Sequence, residues 1–136
     1  MKPTPVKEVK LPVMNDERGS LTFGQETDQV PFSIKRYFSI FNVPAKQTRG
    51  HHAHKATHQF LVCLSGSCEI EVDNGTARQK LSFTSPSQGL HVPPMNWVSL
   101  SKFAPHTVLL VLTSDVYLAD DYIRDYEQFL KMVKGK

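Results

Sequence analysis

Short stretches rich in apolar residues alternate with turn-forming residues along most of the chain. Residues 34–43 (IKRYFSIFNV) are rich in aromatic and β-branched side chains and end before Pro44, as is typical of strands. Ser65-Gly66 and Asp73-Asn74-Gly75 supply the chemistry of tight turns further along. This pattern predicts strands at residues 34–43, 58–64, 67–72, 79–84, 89–92, 97–102 and 107–113. Strands of this length and spacing predict an all-β sandwich or barrel, and in particular a jelly roll.

The C-terminal segment follows a helical period instead. Between residues 120 and 134 apolar side chains recur every three or four positions, with acids at the start and lysines at the end. That distribution of charge suits the helix dipole. We therefore expect an amphipathic α-helix at about residues 119–134, packed on the barrel, within a single domain that covers residues 1–136.

Composition and net charge indicate which kinds of molecule this chain is expected to bind. The chain has 136 residues, of which 40% are hydrophobic and 21% charged, as in ordinary globular proteins. Its net charge of +3 is small and its basic residues are dispersed, so we expect no nucleic-acid partner, although an anionic small molecule would suit them. No apolar run approaches the roughly 20 residues that span a bilayer, and the N-terminus lacks the apolar core of a secretory signal. We expect a cytoplasmic protein without a membrane partner.

Two cysteines flank the Ser65-Gly66 turn. Cys63 and Cys68 are close enough in sequence to form a disulfide across it, but a pair of reduced, buried residues is the favoured interpretation.

The clearest chemical pattern lies in residues 49–59 (RGHHAHKATHQ). His52 and His54 are one residue apart, so on a strand their side chains point to the same face and enter one pocket. Their spacing to Gln59 and Gly66 is that of a β-barrel metal motif in which position 59 carries an acid. Glutamine is a neutral, weak ligand, which leaves the two imidazoles free for proton transfer.

This spacing resembles the first motif of the cupins, HxH followed by an acid and then glycine. The second cupin motif can be laid on residues 93–98, with Met95 in place of its glycine and Val98 in place of its last histidine. The resemblance implies a cupin-type jelly roll, the double-stranded β-helix. Because a catalytic metal is usually held by about three protein ligands, and Gln59 and Val98 replace two, we expect no metal and no other cofactor.

Five blocks in the same order resemble a narrower family. They are residues 16–21 (DERGSL), 31–36 (PFSIKR), 49–55 (RGHHAHK), 59–67 (QFLVCLSGS) and 121–124 (DYIR). They are similar to blocks of the nucleotide-sugar 3,4-ketoisomerases, which act on dTDP-4-keto-6-deoxyglucose. The resemblance implies a metal-free homodimer that moves a keto group from C4 to C3 of a hexose. It also implies that His52 and His54 are catalytic.

The residue types suit this reaction. The carbonyl at C4 acidifies the neighbouring C3–H, and a neutral histidine, with an ordinary pKa near ~6.5, can accept and return that proton near neutral pH. A positioned general base contributes about 10²–10⁴ in rate. We favour His52 as the base at C3, while the division of labour with His54 stays open.

Further side chains are candidates for binding the dTDP-linked 4-keto-6-deoxyhexose. The guanidinium groups of Arg36 and Arg49 suit a diphosphate, because their donors form a rigid fork. Arg18 is a candidate for the sugar pocket, reached from the partner subunit. Tyr37 and Trp97 would stack on the base or line the sugar pocket, although core packing is equally favoured. The full set is Arg18, Arg36, Tyr37, Arg49, Lys55, Gln59 and Trp97.

The other histidines lack comparable support. His51 alternates away from His52 and is expected at the surface, whereas His58 lies beyond an expected strand break. His91 and His106 belong to no motif, although His91 is predicted on a strand that leads to the pocket rim.

Several questions stay open. Val98 cannot relay a proton, which leaves the product epimer undecided, although Arg18 slightly favours the galacto product. The product would serve deoxyaminosugar biosynthesis for lipopolysaccharide O-antigen or another surface glycan. The alternatives are a non-catalytic cupin that binds a nucleotide sugar, a metal-dependent cupin and a 3,5-epimerase. A long N-terminal segment, residues 6–23, would cover exposed edge strands if it were exchanged in the dimer.

Overall fold

The computed structural model describes residues 3–135, which form two packed five-stranded sheets, a separate hairpin and one α-helix. The strands are β1 (Lys7–Lys10), β2 (Val13–Asp16), β3 (Gly19–Thr22), β4 (Arg36–Phe41), β5 (Arg49–His54), β6 (Gln59–Ser65), β7 (Cys68–Asp73), β8 (Arg78–Phe83), β9 (Gln88–Val92), β10 (Trp97–Ser101), β11 (Val108–Thr113) and β12 (Tyr122–Ile123), and the helix is α1 (Tyr126–Val133). The first sheet has the order β1-β9-β6-β11-β4 and the second β12-β5-β10-β7-β8, with neighbouring strands antiparallel. The predicted all-β jelly roll with a C-terminal helix is confirmed.

Alternation along the strands builds the main core between the two sheets. Leu61 and Val111 of the first sheet pack against Ile70, Val98 and their neighbours of the second. Burying a side chain of this size contributes roughly 1.5–3 kcal/mol. Each sheet also has a covered outer face: residues around Phe32 pack on the first, and α1 packs on the second. The inner faces therefore supply both the core and the walls of the cavity described below.

The N-terminal segment, residues 6–23, was expected to supply strands for exchange in a dimer, and it contains β1, β2 and β3. β1, β2 and β3 are short and mostly exposed, so their sequences carry no regular alternation of apolar and polar residues. β1 pairs with β9 of the same chain at the edge of the first sheet. β2 and β3 pair with each other and form a hairpin separate from both sheets.

The C-terminal helix is shorter than the predicted residues 119–134. A 3₁₀ turn occupies Ala119–Asp121, and β12 then pairs with β5, with Tyr122 opposite His54. The α-helix begins only after Asp125, whose carboxylate caps it by accepting a hydrogen bond from the backbone N–H of Glu127. Strand pairing with β5 therefore overrides the local helical period, and the prediction was wrong by about seven residues at this end.

Two further predictions concern the described residues. Cys63 and Cys68 are buried free thiols, as the favoured interpretation expected. None of the helices within residues 3–135 is long and apolar enough to cross a bilayer.

Candidate active site

A cavity of about 410 Å³ opens between the two sheets, next to the histidine-bearing strand. Its wall is apolar on the side of the main core and strongly basic on the other side. The residues that line it come from β4, β5, β6, β10, β11 and the segment around β12: Arg36, Phe38, Ser39, Ile40, Arg49, Gly50, His52, Gln59, Leu61, Val98, Leu100, Val111, Tyr122 and Arg124. The arginines of this wall suit an anionic group of a ligand, and the apolar side chains suit a ring that is less polar than that group.

His52 lies on the cavity wall and is neutral near neutral pH. Burial lowers its pKa to about 4, and the neighbouring His54 ring adds to the effect. The Gly50 backbone makes a hydrogen bond to the His52 ring that favours the protonated form, so it is the carbonyl that accepts. His52 can therefore accept a proton from a ligand in the cavity.

His54 lies deeper and forms a buried pair with Asp121. Its Nδ1 is 2.9 Å from Oδ2 of Asp121, while the same carboxylate accepts hydrogen bonds from the backbone N–H groups of Ala56, at 2.7 Å, and Thr57, at 3.2 Å. Burial raises the pKa of Asp121, but these hydrogen bonds outweigh it and the net shift is downward. The carboxylate is therefore ionised and holds the proton of His54 on Nδ1.

This tautomer leaves Nε2 of His54 as a basic nitrogen. Nε2 is buried and has no hydrogen-bond partner among residues 3–135. Burial lowers the pKa of His54, the contact with Asp121 opposes that shift, and the charges of Arg124 and Arg36 lower it further. His54 is thus a neutral imidazole with one fixed and one free nitrogen.

Aromatic contacts join the two imidazoles to β12. The rings of His52 and His54 are 5.2 Å apart and nearly perpendicular. The ring of Tyr122 lies 5.0 Å from His52 and 4.3 Å from His54, and the Arg124 guanidinium lies 4.4 Å from the centre of that tyrosine ring. β12 therefore brings a carboxylate, an aromatic ring and a positive charge to the histidine pair.

Sequence reasoning missed Asp121, Tyr122 and Arg124 as site residues. All three belong to the block at residues 121–124 that supported the family resemblance, which was the available signal. The helical period of the C-terminal segment assigned this block to a packing helix instead.

The structure brings five of the predicted site residues together. His52, Arg36, Arg49 and Gln59 line the cavity, and His54 lies directly behind His52. The Arg36 guanidinium is 4.8 Å from the ring centre of Phe38. We expected His52 and His54 to enter one pocket side by side, but the structure shows only His52 on the cavity wall.

Four predicted substrate-binding residues lie away from the cavity. Trp97 is only 8% exposed and packs against Phe129 of α1, because Val98 next to it takes the inward position on β10. Tyr37 is 69% exposed and faces outward from β4, for the same reason of alternation. Lys55 follows β5 and is exposed, and Arg18 lies at the tip of the exposed hairpin.

The donor set at the cavity offers little to a metal ion. Within residues 3–135 no group of three or more His, Cys, Asp or Glu side chains is arranged to hold one. Near the histidine pair, positions 59 and 98 carry an amide and an aliphatic side chain.

Comparison with known proteins identifies the family. The family model FdtA, described as WxcM-like, C-terminal, matches residues 4–134. A relative from Aneurinibacillus thermoaerophilus, TDP-4-oxo-6-deoxy-α-D-glucose-3,4-oxoisomerase, is 42% identical over 127 residues, which are 93% of this chain and 91% of the relative.

Solved structures agree with this relationship. The sugar 3,4-ketoisomerase QdtA from Thermoanaerobacterium thermosaccharolyticum, in complex with TDP, is 36% identical with a TM-score of 0.93, over 96% of this chain and 95% of that one. The TDP-quinovose 3,4-ketoisomerase WlaRB from Campylobacter jejuni is 39% identical with a TM-score of 0.89, over 93% of this chain and 97% of that one. The chain belongs to the FdtA family of sugar 3,4-ketoisomerases and is an enzyme of the isomerase class.

Proposed function

We propose that this protein converts dTDP-4-keto-6-deoxy-D-glucose into a dTDP-3-keto-6-deoxyhexose through an enediol, without a metal ion. The observation that carries the proposal is a neutral His52 on the wall of a basic cavity, backed by the buried His54–Asp121 pair. The substrate class is that named for the relative from Aneurinibacillus thermoaerophilus. The residue types at positions 59 and 98 favour proton transfer over metal chemistry.

The first step is removal of the proton at C3. His52 takes this proton, the C3–H electron pair forms the C3=C4 double bond, and the oxygen at C4 takes up the electrons of the former carbonyl. The enediolate is stabilised by the positive potential of the basic cavity wall.

The second step restores a carbonyl at C3. The hydroxyl at C3 loses its proton, the C3=O bond forms, and C4 accepts a proton, while the oxygen at C4 ends as a hydroxyl. Two roles remain open for His54: its basic Nε2 relays the hydroxyl proton, or its ring only orients His52. The contact with Asp121 serves either role, because it fixes which nitrogen of His54 is basic.

The nucleotide diphosphate is assigned to the arginines of the cavity. Arg36, Arg49 and Arg124 present three guanidinium groups on its wall, and guanidinium binds phosphate oxygens through paired hydrogen bonds. The TDP-bound structure of QdtA supports a nucleotide diphosphate as ligand in this fold.

We further propose a homodimer in which the hairpin of one protomer reaches the cavity of the other. The hairpin exposes large apolar side chains, with Val13 44%, Met14 64% and Leu21 56% exposed, and such a patch favours a protein partner. Arg18 at its tip pairs with Asp16 at 2.8 Å, but its side chain is 85% exposed, so a neighbouring protomer can reach its guanidinium. Light scattering at low micromolar concentration should give the mass of a dimer, and a monomeric mass would overturn this part.

The product is proposed to be the galacto epimer and to serve a 3-aminated sugar of a surface glycan. Val98, opposite His52 on β10, offers no proton to C4, so the face of reprotonation is set by other groups. The candidate group that favours the galacto product is Arg18, which would enter the cavity from the hairpin of the other protomer.

The test is NMR of metal-stripped protein with dTDP-4-keto-6-deoxyglucose in deuterated water. We expect a 3-keto product with deuterium at C4, and the ring couplings name the epimer. Absence of both product and deuterium at C3 would contradict isomerisation of this substrate and favour a non-catalytic nucleotide-sugar binder. Activity that appears only after a divalent metal is added would contradict the metal-free mechanism.

A further inference from the structure

A bulge in β5 stands directly before His52. Val98 of β10 lies opposite His52, whereas the next residue, Ser99, lies opposite Gly50, so His51 is an extra residue without a counterpart. Both residues of the bulge have left-handed backbone, with φ of 86° at Gly50 and 60° at His51. Bulges of this kind re-aim the side chain that follows them.

Position 50 requires glycine for two reasons: its φ is left-handed, and there is no room for a Cβ atom. A Cβ at this position would lie 2.8 Å from the carbonyl oxygen of Val98. The backbone carbonyl of Gly50 also accepts a hydrogen bond from the His52 ring. Because this carbonyl holds the proton on one nitrogen of the His52 ring, the other ring nitrogen is free to act as a base.

His51 also has a left-handed backbone, but unlike glycine it carries a Cβ, so this conformation is sterically unfavourable for it. Its side chain, however, is held on both sides. Nε2 lies 2.8 Å from Oγ1 of Thr48, ahead of β5, and Nδ1 lies 3.3 Å from Oγ of Ser99, on the neighbouring strand. The imidazole thus bridges the two sides of the bulge on the outer face of the sheet.

We propose that His51 is a positioning residue: held between Thr48 and Ser99, it fixes the bulge and thereby the ring orientation and tautomer of His52. The kinetic part of this inference rests on the proposed function of His52, whereas the structural part does not. His51 touches no ligand in this scheme and acts only through the backbone that it shares with Gly50 and His52.

Three substitutions at position 51 separate the contributions of backbone and side chain. His51→Asn keeps a residue that tolerates left-handed backbone and retains polar groups, so it should stay within about threefold of the parent kcat. His51→Gly keeps the backbone but loses both hydrogen bonds. His51→Val loses both and disfavours the backbone conformation, so its kcat should fall on the order of ten- to a hundredfold with KM changed by less than about twofold.

Two further variants make the test decisive. Thr48→Val with Ser99→Ala removes both partners while leaving His51 in place, and it tests the idea even if His51→Val fails to fold. His106→Val is the matched control, because His106 is an exposed histidine with a φ of 64° in a turn outside the site. Its strain is comparable, but its effect on kcat should be negligible.

The readout independent of turnover is NMR of the His52 ring labelled with ¹⁵N. We expect one fixed tautomer in the parent protein, and mixed tautomers in His51→Val and in the Thr48→Val/Ser99→Ala variant, because loosening the bulge weakens the hydrogen bond from the His52 ring to the Gly50 backbone. An unchanged His52 ring in both folded variants, or the same change in His106→Val, would overturn the proposal. If the ring changes as expected but the parent protein turns over no substrate, the proposed function fails and the positioning role stands.

Discussion

Oδ2 of Asp121 lies 2.9 Å from Nδ1 of His54, and this buried contact joins the C-terminal segment to the strand that carries both catalytic candidates. The same carboxylate accepts hydrogen bonds from the backbone N–H groups of Ala56 and Thr57, which lie in the loop after β5. One side chain thus fixes both the loop after the catalytic strand and the tautomer of its deeper histidine.

Asp121→Asn should lower kcat by about 10²-fold or more. The amide keeps the shape of the side chain, but its NH₂ group can donate to Nδ1 and thereby move the proton of His54 to Nε2. Steady-state kinetics gives the size of the effect, and ¹⁵N NMR reports the tautomer directly. Asp120→Asn is the control, since Asp120 is adjacent and exposed. A kcat within threefold of the parent would show that neither role proposed for His54 depends on this contact.

The pairing of His54 with Asp121 also shows what the sequence could not predict. The two residues are 67 positions apart, and only the packing of β12 against β5 brings them together. Tyr122 and Ile123 fit a helical period as well as a strand, so periodicity favoured the longer helix. Pairing across the sheet is a tertiary effect that a local pattern does not contain.

Other features followed directly from local rules. Most central strands lie close to the predicted ranges, since their apolar alternation reflects the two-layer core. Alternation on β5 predicted that His52 and His54 share a face. The same rule, applied to β10, would have placed Trp97 away from the cavity once Val98 was assigned to it. The bulge at Gly50 and His51 was not predicted, although a glycine inside a strand is a signal for a bulge.

The activity should persist well below the ordinary pKa of histidine. Burial and the neighbouring His54 lower the pKa of His52 to about 4. A base must be neutral to act, so kcat/KM should stay level from pH 7 to about 5 and fall tenfold per unit below about 4. Circular dichroism at each pH separates loss of the base from loss of the fold. An acid limb centred near ~6.5 would contradict a buried, neutral His52.

A second pair of histidines should make the fold sensitive to acid. Nδ1 of His58 and Nε2 of His91 are 2.9 Å apart, and their stacked rings lie beside Phe32 on the outer face of the first sheet. Burial lowers the pKa of His91 to about 4, with His58 and Lys7 adding to the effect. The unfolded chain therefore binds more protons between about pH 6.5 and 4, so stability is lost as pH falls through this window.

His91→Gln should reduce that sensitivity. The loss of unfolding free energy between pH 7 and pH 5 should be smaller in the variant by roughly 1 kcal/mol, a figure that allows for screening by solvent at a half-buried site. Urea unfolding at the two pH values measures it, with His106→Gln as the exposed control. If the variant and the parent lose the same unfolding free energy between pH 7 and pH 5, the histidine pair does not take up protons on unfolding.

Arg124 should contribute to nucleotide binding through the geometry of its guanidinium. It lies over the ring of Tyr122 at 4.4 Å and on the cavity wall. Arg124→Ala should weaken TDP binding by about 10- to 100-fold, the range expected for charge-assisted hydrogen bonds, and Arg124→Lys should recover only part of it. Calorimetry measures both, with Lys80→Ala on exposed β8 as the control for net charge. Unchanged affinity in Arg124→Ala would remove this residue from the diphosphate site.

The most direct measurement of the central claim is the rate at which C3 of dTDP-4-keto-6-deoxyglucose exchanges its proton for deuterium in metal-stripped His52→Asn protein, compared with the parent. We predict that exchange and turnover fall to background while TDP binds within a few-fold of the parent affinity, because the variant loses the base and keeps the arginines. Retained exchange at C3 in a folded, TDP-binding variant would contradict His52 as the base.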